Sequence, residues 1–215
     1  MPGFLQRAGA VIALAVLCPF LVALACAVRL TSPGSAFHRA LRVSRGRPFT
    51  LYKFRTMRSG VGTENLGVTA CGDPRITRLG RILRRTKLDE LPQLWNVVRG
   101  EMLLVGPRPE DPRYIDWDDP SHRLVFGAAP GITGPTAIAF REEERLLAEE
   151  AGSLARAGGR NVVTAADVER AYRERILPLK LAMDADYLRD RSFRGDLAIL
   201  GRTVSALAAG TTKPR

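Results

Sequence analysis

The chain has 215 residues, 46% of them hydrophobic and 26% charged, a composition that supports a folded core and excludes global disorder. Its formal net charge of +11 indicates an anionic partner, and nucleic acid, anionic lipid and phosphorylated substrates all fit that charge. The three cysteines, Cys18, Cys26 and Cys71, do not make a disulfide framework and lack zinc-ligand spacing, which favours a reducing compartment for the soluble part.

An uncharged, almost wholly apolar segment covers residues 8–28. About 20 apolar residues suffice to cross a hydrocarbon core. A cleavable signal peptide is the alternative, because Arg7 precedes the segment and Ala25-Cys26-Ala27 resembles a cleavage site. A basic cluster, which normally stays on the cytoplasmic side, follows the segment: Arg29, Arg39, Arg42, Arg45, Arg47, Lys53, Arg55 and Arg58. The sequence therefore predicts a retained membrane anchor over residues 1–30 and a cytoplasmic domain over residues 31–207.

A β-hairpin is predicted after the anchor, with strands over residues 36–43 and 49–57. Phe49, Leu51 and Lys53 alternate with Thr50, Tyr52 and Phe54, the period of two that is typical of a strand with modest burial. Residues 59–72 are rich in Gly, Thr and Asn and predict a mobile loop.

Helices are predicted over most of the remaining chain. Residues 73–85 carry an apolar stripe, Ile76, Leu79 and Leu83, surrounded by arginines. That pattern fits a helix in the lipid headgroup region or an ordinary amphipathic helix, and the nearby anchor favours the membrane. Further helices are expected over residues 89–98, 141–157, 164–176 (ended or kinked by Pro178) and on to about residue 207, before a loose tail over residues 208–215. The predicted fold class is helix-rich α+β.

Two acidic residues open one of these helices. Pro92 fits a first helical turn, which places Asp89 at or next to the N-cap, where a carboxylate or a bound phosphate is stabilised. Capping alone explains Asp89, but it does not explain Glu90 beside it. Adjacent helical residues point about 100° apart, so different roles are expected for the two carboxylates. Arg108 lies between two prolines, which suits either phosphate recognition by a fixed guanidinium or a tight turn with an exposed arginine.

These residues belong to a longer pattern. The stretch DPRITRLGRILRRTKLDELPQLWNVVRGEMLLVGPRPE over residues 73–110 resembles bacterial sugar transferases of the monotopic phosphoglycosyl transferase superfamily. LYKFRTM (residues 51–57) before this stretch and PGITG (residues 130–134) after it occur in the matching order, and the resemblance covers roughly residues 8–205. The chain departs from the family pattern at four places. Cys18-Pro19 replaces Ser-Pro, Ala129 replaces a common arginine, Pro135-Thr136 replaces Trp-Ala, and Ser44 replaces a turn glycine.

The resemblance implies a covalent, two-step transfer. Asp89 would attack the β-phosphate of a nucleoside diphosphate sugar, usually a uridine one, and the phosphosugar would then pass to polyprenyl phosphate, starting the assembly of a surface glycan. It further implies Mg²⁺ held by Asp89 and Glu90, and phosphate or nucleotide contacts from Lys53, Arg84, Arg108 and Arg141. The anchor would be a re-entrant helix in the bacterial inner membrane, with amphipathic helices at the lipid interface and the catalytic domain on the cytoplasmic face.

Two other functions remain to be weighed. A membrane-anchored nucleic-acid binder fits the charge, but aromatic residues make up only 7% of the chain and do not interleave with basic ones as base stacking would require. No recognised nucleic-acid motif appears, so no nucleic-acid partner is expected. An inactive scaffold of glycan assembly is disfavoured because Asp89, Glu90 and Arg108 are all present. The sequence carries no signal for an oligomeric state.

Overall fold

A computed structural model describes residues 1–58 and 73–208 of the chain. Over these residues the helices and strands are, in chain order, α1 (Gly3–Thr31), β1 (Phe37–Ser44), β2 (Arg47–Phe54), α2 (Arg78–Thr86), α3 (Gln93–Val98), β3 (Leu103–Val105), α4 (Pro120–Phe126), β4 (Gly131–Thr133), α5 (Pro135–Ala139), α6 (Glu143–Ala157), α7 (Ala165–Ala171), α8 (Leu177–Arg189) and α9 (Phe193–Ala208). The helix-rich α+β class, the hairpin and the apolar first helix are confirmed. The loop predicted over residues 59–72 and residues 209–215 of the predicted tail lie outside the described residues.

Helix α1 is longer than the apolar segment that predicts it and runs without interruption through Pro19. Its most apolar stretch has a mean hydropathy of 2.9, so the helix is long and apolar enough to cross a membrane. Both of its ends contact the rest of the chain. The fully buried Gln6 accepts hydrogen bonds through Oε1 from the amides of Leu104 (2.7 Å) and Val105 (3.2 Å), and Val28 is buried in a cluster with Phe54 and Leu83.

The hairpin pairs β1 with β2 in antiparallel register from Phe37 opposite Phe54 to Ser44 opposite Arg47. Arg45 and Gly46 both have positive φ, 50° and 70°, which is the turn geometry that follows the natural twist of two antiparallel strands. The two faces of β2 pack differently: Phe49 and Leu51 lie against α1 and α3, and Phe54 lies against the other end of α1.

Helix α2 begins at Arg78 rather than at Asp73, where the sequence pattern placed it. Thr77 is the N-cap and its Oγ1 accepts a hydrogen bond from the amide of Gly80 at 2.8 Å. The four residues before it form a turn, in which the Asp73 carboxylate binds Arg75 and Ile76 forms a β-bridge with Met57. The helical stripe of the sequence therefore keeps Leu79 and Leu83 but loses Ile76, because the Thr77 cap stops the helix from extending further back.

Two short parallel strands bring distant loops together. β3 pairs with β4, with Leu103 opposite Gly131 and Val105 opposite Thr133. A Cβ added to Gly131 would lie 2.1 Å from the backbone nitrogen of Gly106, so this close approach requires glycine. The pairing places the loop after β3, which contains Arg108, beside the start of α5.

Helices α4, α6, α7 and α8 form a second core around Tyr114, Val125, Leu147 and Tyr172. Pro178 does not end the helix that precedes it. A π-helical turn over Tyr172–Ile176 joins α7 to α8, and the amide of Leu177 donates to the carbonyl of Tyr172. The wider turn carries the helical path up to a proline that cannot donate a hydrogen bond of its own.

Gly80→Ala is expected to destabilise the chain, because the new Cβ would lie 2.1 Å from the carbonyl oxygen of Thr56. Neither backbone can relieve that clash by a side-chain rotation, and overpacking of this kind costs about 1–3 kcal/mol. The measurement is the apparent melting temperature of the full chain in detergent micelles. Gly201→Ala is the control, since a Cβ at Gly201 meets nothing within 4 Å and alanine favours the helix. A Gly80→Ala variant as stable as Gly201→Ala would contradict the packing of α2 on Thr56.

Candidate active site

The acidic pair lies in the short connection between α2 and α3. Lys87 ends α2 in the left-handed region (φ 59°), and Leu88–Glu90 forms a single 3₁₀ turn before Pro92 leads into α3. The expectation that Asp89 caps a helix over residues 89–98 is therefore wrong. α3 starts at Gln93 and has no side-chain cap, so Asp89 is left without the structural task that the sequence suggested.

Asp89 is buried, with 8% of its surface exposed, and its Oδ1 has no hydrogen-bond partner among the residues that the structure describes. Burial, followed by the nearby charge of Glu90, raises the pKa of Asp89 above its ordinary value. Unpaired carboxylate oxygens are costly inside a protein and are found where a ligand or reactant completes them. Asp89 is therefore a buried carboxylate whose Oδ1 has no structural partner among the described residues.

Glu90 is equally buried but has cationic partners. Its Oε1 lies 3.1 Å from Nζ of Lys53 and 3.5 Å from Nη2 of Arg108. Burial opposes its ionisation, but the charges of Lys53, Arg108 and Lys87 outweigh burial and lower the pKa of Glu90. The two adjacent acids thus have different surroundings, as their neighbouring positions in the chain predicted. Glu90 is a fixed anion within a cationic cluster, and Asp89 has an oxygen without a partner in the described structure.

Arg108 is held from two sides. Its amide donates to Oδ2 of Asp184 at 3.1 Å, and its Nε lies 3.8 Å from Oε2 of Glu143. The charges of Glu90 and Glu143 raise the pKa of Arg108 although burial opposes the charged form. Arg108 is therefore a positioned cation, and the reading of it as an exposed arginine in a tight turn is wrong.

A second layer of buried charge supports Arg108. Lys180, 5% exposed, lies 3.0 Å from Glu143 and 3.5 Å from Glu110, and donates to the hydroxyl oxygen of Tyr172 at 2.8 Å. Sequence reasoning missed Glu143, Lys180 and Asp184. Their signal was weak: Lys180 and Asp184 fall on one face of a helix at a spacing of four, but nothing in one sequence shows that this face meets Arg108.

The other two predicted cations lie nearby without contacting the acidic pair. Arg84 donates through Nε to Oγ1 of Thr56 at 2.8 Å and pairs with Glu144, and its charge is among those that act on Asp89. Arg141 donates through Nη1 to the carbonyl of Ala206, and its Nε is a buried atom without a hydrogen-bond partner in the described part of the chain. All six predicted site residues thus fall in one region.

A half-open cavity of about 220 Å³ adjoins the pair. Four charged residues line it, Lys87, Glu90, Arg108 and Arg141, and the rest of its lining is apolar apart from two threonines. The described residues contain no cluster of three or more His, Cys, Asp or Glu side chains that could enclose a metal ion. Asp89 and Glu90 could still offer oxygens to Mg²⁺, which typically binds proteins through one or two carboxylates and takes its other ligands from water and substrate phosphates.

Comparison with known proteins agrees with this arrangement. The family model for bacterial sugar transferases matches residues 3–210, so the chain belongs to that family. A UDP-glucose:undecaprenyl-phosphate glucose-1-phosphate transferase of Caulobacter vibrioides is 36% identical over 90% of this chain and 64% of its own length. A UDP-N-acetylgalactosamine-undecaprenyl-phosphate N-acetylgalactosaminephosphotransferase of Aeromonas hydrophila is 39% identical over 58% of this chain and 30% of its own. A transferase of Xanthomonas campestris pv. campestris with the same name as the Caulobacter protein is 50% identical over 62% and 29%. The chain thus spans less than two thirds of each of these relatives.

Lys180→Met is expected to destabilise the protein, because it removes the cation shared by the buried Glu110 and the half-buried Glu143. Breaking a buried ion pair from one side costs about 3–5 kcal/mol. The measurement is chemical denaturation followed by tryptophan fluorescence. Arg189→Met, in the same helix, removes a cation from a pair in which both side chains are mostly exposed, and should leave the transition nearly unchanged. Equal shifts for the two variants would show that the Lys180 cluster does not support the fold.

Proposed function

We propose that the protein transfers a sugar 1-phosphate from a nucleoside diphosphate sugar, a UDP-sugar as in its relatives' names, to a polyprenyl phosphate through a covalent intermediate on Asp89. The observation that carries the proposal is the buried Oδ1 of Asp89, which has no partner in the described structure although cations surround it. Carboxylates act as nucleophiles in enzymes that form acyl phosphates. The relatives named above are transferases of UDP-sugars and undecaprenyl phosphate, which supports the same reaction class here.

The reaction proceeds in two displacements at one phosphorus atom. An oxygen of Asp89 attacks the β-phosphorus of the donor, and the bond from that phosphorus to the bridging oxygen breaks. The bridging oxygen leaves with the bonding electrons as part of the nucleoside monophosphate. A phosphate oxygen of the acceptor then attacks the same phosphorus, and the bond to Asp89 breaks with its electrons returning to the carboxylate. The product is a polyprenyl diphosphate sugar, a starting unit for a surface glycan.

The fixed cations neutralise the phosphates during these steps. The backbone and the side chain of Arg108 are both held by neighbouring carboxylates. Its planar guanidinium is therefore fixed in place, which suits it to bind phosphate oxygens. Lys53, Arg84 and Arg141 add positive charge around the pair, and Glu90 keeps Lys53 and Arg108 in place. Mg²⁺ held by Asp89 and Glu90 would further neutralise the diphosphate of the donor.

We further propose that α1 is a monotopic anchor whose two ends stay on the cytoplasmic side of the inner membrane. About 22 residues of helix separate Gln6 from Val28, or about 33 Å at 1.5 Å per residue, close to the thickness of a hydrocarbon core. A straight span would place these two residues on opposite sides of the membrane. Both are instead buried against the same domain, while Val11, Val16 and Phe20 between them are exposed. The basic outer face of α2 and the exposed apolar side chains of α9 would then lie at the lipid interface.

Asp89→Asn is expected to abolish transfer while keeping the fold, because the amide has the same shape but cannot form the phosphosugar adduct. We expect turnover, measured as release of nucleoside monophosphate, to fall at least about a thousandfold, as when other enzymes lose their nucleophile. Wild-type protein incubated with a UDP-sugar alone should carry one phosphosugar on the peptide that contains Asp89. The control is Asp118→Asn, an exposed aspartate that should retain full activity. Near-normal turnover in Asp89→Asn would exclude the covalent route.

A cysteine-accessibility experiment tests the anchor. In a variant whose Cys18, Cys26 and Cys71 are replaced by serine, Gly3→Cys reports the first end of α1, where a Cβ meets nothing within 4 Å. Ser153→Cys, exposed in α6, reports the side on which the domain lies. In intact cells we expect both cysteines to be protected from a membrane-impermeant thiol reagent, and both to react after lysis. Labelling of Gly3→Cys alone in intact cells would demonstrate a true span.

A further inference from the structure

The cavity beside the acidic pair has an apolar part that the proposed chemistry does not use. Leucine and isoleucine side chains from α3, β3, α5 and α9 line it, among them Leu94, Leu104, Ile138 and Leu200. Phosphoryl transfer requires charge and hydrogen bonding around the reacting atoms, and these side chains supply neither. We therefore expect the apolar part to bind an apolar group rather than the reacting phosphates.

The polar side chains within this lining do not suit a sugar or a base. Thr133 and Thr203 bond to each other, with 2.7 Å between their hydroxyl oxygens, and Thr203 also bonds to the carbonyl of Ile199 at 2.8 Å. Their capacity to donate is thus already used within the described structure. A sugar or a uracil ring placed here would bury hydroxyl or amide groups without partners, which is unfavourable.

The size of the cavity points the same way. At about 220 Å³ it is smaller than the roughly 300–1,000 Å³ of most small-molecule sites, and it is half open rather than closed. A whole nucleotide sugar does not fit such a volume. A segment of a longer apolar chain does, because the remainder can leave through the open side.

The cavity lies next to the apolar first helix. Leu94, Leu104 and Ile132 belong to its wall and also pack in the cluster that contains Ala10 of α1. On another side, α9 contributes Leu200 to the wall while its neighbours Leu197 and Val204 are 46% and 66% exposed. An apolar chain could therefore pass from lipid into the cavity without crossing an intervening polar layer.

The same cavity is continuous with the charged site. Glu90 and Arg108 line it together with Lys87 and Arg141, so three cations and one anion border an otherwise apolar space. This matches an amphiphile with an anionic head and an apolar tail. Building on the proposed function, we infer that the cavity between α3, α5 and α9 binds the isoprene units next to the phosphate of the polyprenyl phosphate acceptor. The donor's nucleotide and sugar then bind elsewhere around Asp89.

The test fills the cavity and follows the two substrates separately. Leu200→Trp adds bulk to the wall, and Leu197→Trp places the same side chain on the same helix outside the lining. Both variants are made in the full chain in detergent micelles, and their melting temperatures are compared with that of the wild type. Binding of undecaprenyl phosphate is measured without a donor, by equilibrium binding of the radiolabelled lipid. Release of UMP from a UDP-sugar is measured without an acceptor, as a single turnover, for UDP-glucose and UDP-N-acetylgalactosamine.

We expect Leu200→Trp to bind undecaprenyl phosphate at least tenfold more weakly while releasing UMP within twofold of the wild type. Leu197→Trp should match the wild type in both measurements. Geranyl phosphate, which has only the isoprene units next to the phosphate, should also bind Leu200→Trp more weakly than wild type, because those are the units that the cavity holds. Dioleoyl phosphatidate should compete poorly, since the proposed ligand of the cavity is the prenyl chain and not the acyl tails of bulk lipid.

Each other outcome has a defined meaning. Unchanged lipid binding in a folded Leu200→Trp, or loss of UMP release with lipid binding intact, would overturn the inference, and the second result would assign the cavity to the donor. If phosphatidate competes as strongly as undecaprenyl phosphate does, the assignment of the cavity to a prenyl chain is overturned. If neither donor yields UMP with wild type, the proposed function fails for those sugars. The binding measurement then still shows whether the cavity binds the prenyl chain. If Leu200→Trp does not fold, Ile138→Phe fills the same cavity from α5 and replaces it.

Discussion

The buried carboxylate of Glu90 is the constraint on which the rest of the site depends. A charge removed from water must be paired, and Glu90 receives its partners from two distant parts of the chain, Lys53 on β2 and Arg108 in the loop after β3. The hairpin, the 3₁₀ turn and the β3 loop must therefore assemble together. Because Glu90 takes up these cations, Asp89 beside it keeps a carboxylate oxygen with no partner in the described structure, although it lies in the same positive field.

The same reasoning extends into the helical core. Arg108 carries a charge that Glu90 alone does not balance, and Glu143 of α6 lies on its other side. Glu143 in turn faces Lys180 of α8, which also binds Glu110. Positive and negative groups alternate along the path from Glu90 to Glu110, so that Arg108, Glu143 and Lys180 each lie between opposite charges. This alternation gives α6 and α8, which hold no residue of the proposed chemistry, a part in fixing the guanidinium of Arg108.

Local sequence patterns predicted the hairpin, the longer helices, the acidic pair and Arg108, and the resemblance to the family added Lys53, Arg84 and Arg141. Local patterns failed where tertiary contacts decide, as for the short parallel strands β3 and β4. The hairpin alternation, the apolar helix and the Asp89-Glu90 pair were readable because each signal lies within a few residues. The cap at Thr77, which shortens α2, competed with an equally good helical pattern before it. The Asp89 capping interpretation failed because the left-handed Lys87 redirects the chain, which propensity alone does not show. Lys180, Asp184 and the cavity walls come from elements that meet only in the fold.

The packing of α1 against α3 connects the chemistry to the membrane. Ala10 of α1 lies in one cluster with Leu94 and Val97 of α3, and α3 begins three residues after Glu90. With α1 as the proposed anchor, the depth of this helix in the bilayer therefore sets the depth of the acidic pair. A polyprenyl phosphate cannot lift its head group far from the surface, because withdrawing its tail from lipid exposes apolar carbon to water at about 0.8 kcal/mol for each CH₂ group. In the proposed reaction, the soluble donor approaches from water, but the acceptor can be reached only at this level. For the proposed reaction, rigid contact between α1 and α3 is thus a condition of transfer as much as a means of attachment.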